Sequence, residues 1–374
     1  MSILTLNAGS SSLKFAVFSA DQRPGSEALL HGSVAAGTEP AYSLARVLEA
    51  ATPAVRRGGF SGVGHRFVHG GEEFCAPRLF SEAMMAGLKR LVPFAPEHLP
   101  AEIALVEQVA QRFPGLPQVL CFDTAFHRDL PRMARLLPIP RRYEAAGLRR
   151  YGFHGLSFEF LRAEMTRLGD PTAVTGRVIL AHLGNGASLA ALRDGACVDT
   201  SMGFTPSAGL VMATRSGDID PGVAAYLAQS EGMSAGRLNT LFSHESGMLG
   251  VSETSGDMRK LLESEKSDPR AAEAVALFCY QAKKWTGAFV AVLGGLDTLV
   301  FAGGVGENCA AIRMRICDGL GFLGIELDHA RNAAHAPVIS GARSRVIVRV
   351  MRTNEELVIA RAVSALLHPG GTDR

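Results

Sequence analysis

The arrangement that most limits how this chain can fold occurs twice. Ile3–Leu6 is a short apolar run, Asn7-Ala8-Gly9-Ser10-Ser11-Ser12 is small and polar, and Leu13–Phe18 is apolar again with Lys14 near its start. Ile179–Leu183, Gly184-Asn185-Gly186 and Ala187–Leu189 repeat that order. Short apolar runs bounded by Gly, Asn and Ser read as strand, turn, strand. Glycine lets a backbone approach a ligand closely, and the free N–H groups and hydroxyls of such a turn suit an anion, to which Lys14 adds a positive charge. Two readings stand at this point. The likeness is a chance resemblance of two hairpins, or it marks a duplicated half, whose two phosphate-facing turns would oppose each other across a cleft.

At 374 residues the chain exceeds one ordinary domain, and a size of ~150 per domain suggests two or three. A net charge of +2 supplies no field for nucleic acid or a membrane surface, and an aromatic content of 7% leaves few platforms for stacking bases. The cysteines at 75, 121, 197, 279, 309 and 317 form no C-x-x-C pair and no zinc spacing, which points to a reducing cytoplasm. The four-residue apolar run at the start is too short for a signal peptide. Trp285–Val305 is broken by Gly294-Gly295, Asp297 and Gly303-Gly304, so a helix feeding a buried strand explains it better than a membrane span.

Strands are expected at 3–6, 13–18, 62–68, 118–122, 177–183, 187–192, 298–302 and 345–350. Helices are expected at 41–51, 81–92, 101–112, 157–168, 271–293, 308–320 and 354–367. This alternation predicts α/β layers around mixed sheets. A third glycine turn, Gly303-Gly304-Val305-Gly306-Glu307, follows the strand at 298 and precedes a helix expected from Asn308, an order suited to an anion or nucleotide. It lacks the G-K-[ST] of a Walker loop and the spacing of a dinucleotide fingerprint.

Polar groups gather at strand ends: Arg66 in GHRFVHGG, Asp123 in CFDTAFH, His154 in YGFHG, and Arg215 in ATRSGDIDPG. Singly each has a structural explanation. Arg215 with Asp218 can be a local ion pair, His154 a core histidine, Asp123 a turn cap. Together with three glycine turns they meet the needs of phosphoryl transfer, which takes donors on non-bridging oxygens, cations on developing charge, and magnesium on oxygen ligands.

At these motifs the chain resembles the acetate kinases, of the acetate and sugar kinase, chaperone ATPase and actin superfamily. The resemblance runs from Asn7 to about Arg361 through NAGSSSLKF, GHRFVHGG, FDTAFH, YGFHG, HLGNGAS, MGFTP with TRSGDIDPG, GDMR, FAGGVGEN and TNEELVIAR, in that order. It implies an α/β chain of two domains with duplicated ribonuclease H-like (actin-like ATPase) cores flanking a nucleotide cleft. The first domain would comprise 1–148 plus 356–374, the second 149–355, with a hinge that closes on nucleotide and homodimer pairing through the second domain.

The resemblance also implies roles. Asn7 and Glu355 would contact Mg2+, with Mn2+ as a substitute. Ser10, Ser12 and Lys14 would touch nucleotide phosphate, His182-Leu183-Gly184-Asn185-Gly186 would form the second phosphate loop, and Gly303-Gly304-Val305-Gly306-Glu307 would also hold the nucleotide. Asp257, Met258 and Arg259 would border the adenosine of ATP or ADP. Arg66 would bind the acid's carboxylate, and Val68, Phe153 and Pro206 would wall its methyl pocket, with His98 nearby. His154 and Arg215 would stabilise the transition state, and Asp123 would be the proton donor or acceptor. The physics sits less easily with that last role. Carboxylic acids titrate near ~4, so acetate is already ionised at pH 7 and a base has little to abstract. Asp123 is better expected to orient Arg66 or a magnesium-bound water. The two arginines answer a clear need, because two unit charges ~4 Å apart repel by roughly 1 kcal/mol in water and more in a cleft of lower dielectric.

Two departures bear on the acid. Glu97 replaces an apolar residue in Ala95-Pro96-Glu97-His98-Leu99-Pro100, and Ser207-Ala208 stands where the family tends to have Leu-Glu. The function expected is a cytoplasmic kinase transferring phosphate reversibly between ATP and acetate to give acetyl phosphate and ADP. The alternatives are propionate or another short acid as acceptor, and a nucleotide-dependent binding module without transfer.

Overall fold

The computed structural model describes residues 1–9, 12–20, 27–35, 40–55 and 58–368. Ser10 of the expected phosphate contacts therefore lies outside the described residues, as do Ser11 and the tail from 369. The chain divides into two compact units. One is Met1–Arg128 with Phe153–Phe160 and Asn354–Arg374; the other is Asp129–Gly152 with Leu161–Thr353.

The first unit is built on strands β1 (Ser2–Ala8), β2 (Ser12–Ser19), β3 (Leu30–Ala35), β4 (Phe60–Phe67), β5 (Arg78–Leu79) and β6 (Gln118–Phe122). Their order across the sheet is β3-β2-β1-β4-β6-β5. β1 runs antiparallel to β2 and parallel to β4, and β4 runs parallel to β6. β1 is buried on both faces along most of its length, so it reads as a continuous apolar run. Leu4, Leu6 and Val17 pack with Leu44 and Val47 of the helix Pro40–Ala51 and with Leu105 and Val109 of the helix Leu99–Arg112. The helix Glu355–Leu367 returns onto the sheet because β4 has no side chain there. A Cβ on Gly64 would strike Ile359, and one on Gly62 would come 2.8 Å from Leu367.

The second unit carries β7 (Arg177–Leu183), β8 (Ala187–Arg193), β9 (Ala196–Thr200), β10 (Thr298–Ala302) and β11 (Ile347–Val350), ordered β11-β10-β7-β8-β9. β7 pairs antiparallel with β8 and parallel with β10, and β10 pairs parallel with β11. Read from the other edge, the order β9-β8-β7-β10-β11 reproduces β3-β2-β1-β4-β6 with the same strand directions. The duplication legible at two hairpins extends to five strands in each unit. The helix Pro269–Leu293, capped by Asp268 and ended by Gly294 in the left-handed conformation, buries Ala271, Val275, Phe278 and Phe289.

Several expected elements differ. The helix expected at 81–92 is a 3-10 turn (Glu82–Met84) and a six-residue helix (Met85–Arg90), followed by a second 3-10 turn with Pro93 in its first turn. The helix expected at 308–320 is two short ones, Gly303–Asn308 and Ala310–Cys317, because Cys309 is extended and Gly319 is left-handed. β3, β5, β9 and the helices Ala235–His244, Gly247–Ser252 and Met258–Ser264 were not anticipated.

Candidate active site

In the first unit, strand ends deliver a connected polar group. Arg66, on β4, is 13% exposed at its side chain and faces Asp123, just after β6, which is 1% exposed. Nη2 donates to Asp123 Oδ2 at 2.6 Å and Nε to both carboxylate oxygens at 3.2 Å. Nη1 donates to the Ala8 carbonyl at 3.1 Å and lies 3.4 Å from Asn7 Oδ1. The Asn7 amide donates to Glu355 at 2.9 Å and Glu356 at 3.1 Å. The His154 backbone N–H donates to the Asp123 carboxylate. His154 itself has a φ of 56°, a conformation a non-glycine residue adopts at a cost. Asn7, Arg66, Asp123, His154 and Glu355, five of the expected site residues, thus share one network.

Burial raises the Asp123 carboxyl, with Arg66 and the His154 N–H pulling against it and Glu355 adding to the rise. Burial works against the charge of Arg66, yet Asp123, Glu355 and Glu102 hold it above the ordinary arginine value. Glu102 was not foreseen. It is 2% exposed on the helix Leu99–Arg112 and accepts the Val68 N–H with both oxygens, at 3.1 and 3.3 Å. Burial pushes it up to about 8, against Arg66 and the Val68 N–H, with Asp123 adding to the rise. Its signal in the sequence was its place on the buried stripe Leu99, Ile103, Val106. Glu356, beside Glu355, was missed for lack of any such signal.

Val68 and Phe153 are buried, and the His69 ring stands edge-on to Phe153 at 5.6 Å. His98 is half-buried at the start of the helix Leu99–Arg112, while Glu97 is exposed. Lys14 is exposed on β2 opposite Asn7, and Ser12 closes the turn by accepting the Gly9 N–H at 2.9 Å through its carbonyl.

In the second unit, the turn at 182–186 and the turn at 303–307 leave the same end of two neighbouring parallel strands, since His182 pairs with Ala302. Gly303, at φ 75°, presses on Leu183, where a Cβ would come 2.7 Å from the carbonyl oxygen. Gly184 faces the Gly304 nitrogen. Glu307 turns its carboxylate inward, accepting the N–H groups of Gly303 at 3.0 Å and Thr353 at 3.2 Å. The Asn185 carbonyl accepts the Ala213 N–H at 3.0 Å, which ties the segment bearing Arg215 to the first of these turns. Arg215 Nη1 donates to the Pro206 carbonyl at 3.2 Å. Asp257 caps the helix Met258–Ser264 and pairs with Arg259 at 2.9 Å. That stretch reaches the turns less directly, through Gly256 packed on Ala213.

Among the described residues no group of three His, Cys, Asp or Glu side chains is disposed to hold a metal alone. The donors at Asn7, Asp123 and Glu355 are all oxygen. That set fits Mg2+, which takes one or two carboxylates, keeps several waters and shares substrate phosphates.

Comparison with known proteins accords with this geometry. The model of the Acetokinase family matches residues 33–361. An acetate kinase of Nitrobacter hamburgensis is 42% identical over 98% of this chain and 96% of its own length. A propionate kinase of Citrobacter rodentium is 46% identical over 81% of this chain and 75% of its own length. The crystal structure of the Porphyromonas gingivalis acetate kinase superposes with a TM-score of 0.88 at 34% identity, covering 98% of this chain and 99% of that one.

Proposed function

The chain belongs to the acetokinase family, and from that premise we propose that it transfers the γ-phosphoryl group of ATP reversibly to acetate, giving acetyl phosphate and ADP. It is a phosphotransferase with a carboxyl group as acceptor. The single observation that carries the reading is the Arg66–Asp123 pair joined to Asn7 and Glu355, a fixed guanidinium beside oxygen donors for a metal.

The acid's carboxylate is itself the nucleophile, so the protein supplies no activated serine or cysteine. Arg66 binds that carboxylate, and its planar fork suits the task. Asp123 holds the guanidinium in place, a role its 2.6 Å contact supports over that of a base. Asn7 and Glu355 hold Mg2+, which neutralises phosphate charge when bound. Ser12, Lys14 and the turn at 182–186 hold the nucleotide phosphates by backbone N–H groups and charge, the turn at 303–307 also holds the nucleotide, Asp257, Met258 and Arg259 border the adenosine, and His154 and Arg215 stabilise the transferring group. Val68, Phe153 and Pro206 wall the acid's methyl group, with His98 nearby.

A second reading, propionate as preferred acceptor, is favoured by the identity to the Citrobacter propionate kinase. One methylene is worth only ~1–3 kcal/mol in an apolar pocket, so overlap is expected. A kcat/KM series over formate, acetate, propionate and butyrate, trapping the product as hydroxamate, separates the two. Bound ATP without acyl phosphate from any acid would mark a non-transferring module instead.

We also propose a homodimer and a cytoplasmic location. The helix Pro221–Ser230 buries none of its residues and leaves Tyr226 68% exposed, which supports a second copy as its cover. All six thiols are free, in keeping with a reducing compartment. No helix among the described residues is long and apolar enough to cross a membrane.

A further inference from the structure

Arg313 heads the side chains that are fully buried, and it does no work in the chemistry above. It lies on the helix Ala310–Cys317, just beyond the Gly303–Asn308 turn. Nη1 donates to the carbonyls of Gly306 at 2.7 Å and Glu307 at 3.0 Å. Nε donates to Asn332 Oδ1 at 2.8 Å, and Nη2 donates to the Asn332 carbonyl at 2.8 Å and lies 3.2 Å from His335 Nδ1, which is itself 3.0 Å from the Glu307 carbonyl. Among the described residues no carboxylate partners Arg313; its closest acceptors are backbone carbonyls and the Asn332 amide oxygen. Burying a charge without a counter-ion is costly, and an apolar side chain would fill the space at no such cost. The position is therefore explained by what the guanidinium holds. Those are the last carbonyls of the glycine turn, fastened to the Asn332 segment. The start of the turn is fixed separately, by the Glu307 carboxylate on the Gly303 N–H and by the press of Gly303 on Leu183.

We propose that Arg313 is a positioning residue for nucleotide binding: from behind the turn, and without touching the ligand, it holds Gly303–Glu307 in the conformation that receives the nucleotide. The inference rests on the assignment of that turn to the nucleotide. It requires a fork rather than a point charge, because the contacts are made by three separate guanidinium nitrogens, whereas an ammonium presents all its donors from one atom.

The test compares wild type with Arg313→Lys and Arg313→Met, measuring ADP affinity by calorimetry, KM for ATP, KM for acetate and the thermal midpoint. ADP binding and KM for ATP should weaken about ten- to a hundred-fold in both variants, the range seen when a residue supporting a ligand-bearing group is lost. KM for acetate should stay within about two-fold, since Arg66 and Val68 lie on the other unit and keep their partners. Full rescue by lysine, or equal rises in both KM values with a fallen midpoint, would overturn the proposal in favour of a charge effect or a general structural role. Should both Arg313 variants fail to fold, Asn332→Ala removes one acceptor and should weaken ADP binding about five-fold with KM for acetate held. Unchanged ADP affinity there would overturn the proposal equally. Wild type that binds no ADP overturns the nucleotide reading and this inference together, whereas wild-type binding that the variants retain overturns the inference alone.

Discussion

Asp123 and Arg66 decide what the acid-binding half of the chemistry can be. A carboxylate locked on a buried guanidinium is held as an orienting partner, and acetate brings no proton to abstract at neutral pH. Asp123→Asn should lower kcat/KM for acetate about a hundred-fold or more, as removal of an oriented donor does, and by the same factor at pH 6 and pH 8. A loss that disappears at high pH would restore the base. Three further buried groups set the pH dependence of stability. His65 and His127 are both lowered to about 4, by burial acting against a hydrogen bond from each ring to Gln118 and Phe153 respectively. Between about 4 and 6.5 the unfolded chain protonates these rings while the folded chain does not. Stability therefore rises with pH across that window, on the order of 3 kcal/mol for each. Glu102 acts the other way. Raised to about 8, it stays neutral in the fold while the unfolded side chain ionises above ~4.5, so its contribution falls as pH rises through 8. Urea titrations from pH 5 to 9 should find Glu102→Gln gaining on wild type as pH increases. Parallel curves would contradict the assignment. Arg66 and Asp123 were legible in the sequence because polar residues at strand ends stand out, and His154 because it sits between glycines just before a helix. Glu102 and Arg313 were passed over, because a charged side chain on a helix is ordinarily a surface residue, although the place of Glu102 between Leu99 and Ile103 on an apolar stripe was a sign of burial.

Strands carried the sequence signal better than helices. Every expected strand exists, because apolar runs flanked by glycine are distinctive; β3, with Gly32 and Ser33 in its middle, and the short β9 lack that pattern. No element was expected over 235–264, where the helices run only six to ten residues, too short for a helical period to stand out. The glycine turn at 303 was expected to precede a helix and is itself one; Glu307 closes it on the Gly303 N–H and also accepts the distant Thr353 N–H, a contact that local propensity does not contain. The return of the last helix onto β4 depends on bare backbone. Gly64→Ala should push on Ile359 and Val363 and cost about 1–3 kcal/mol, measured by urea denaturation of the same chain. A neutral result would mean that the helix shifts freely and that its docking does not fix Glu355.

Across the whole molecule, one topology is used twice, and the second copy adds the 25-residue helix Pro269–Leu293 and several short helices before it. The repeat was visible only at its two hairpins, where turn chemistry constrains sequence; the remaining strands share direction and order without sharing residues. The exposed helix Pro221–Ser230 belongs to this scale too. Tyr226→Glu should shift the chain from dimer to monomer in analytical ultracentrifugation, and a wild-type monomer would remove the proposed pairing. The account as a whole comes down to a bound acid accepting phosphate under a fixed guanidinium. The direct measurement is acyl phosphate formed from ATP, magnesium and acetate, trapped as hydroxamate, by wild type and by Arg66→Ala with nucleotide affinity followed in parallel. Turnover by wild type, with loss of kcat/KM for acetate of about a hundred-fold or more at unchanged ADP binding in the variant, is the predicted result. Equal turnover by the two proteins would contradict it.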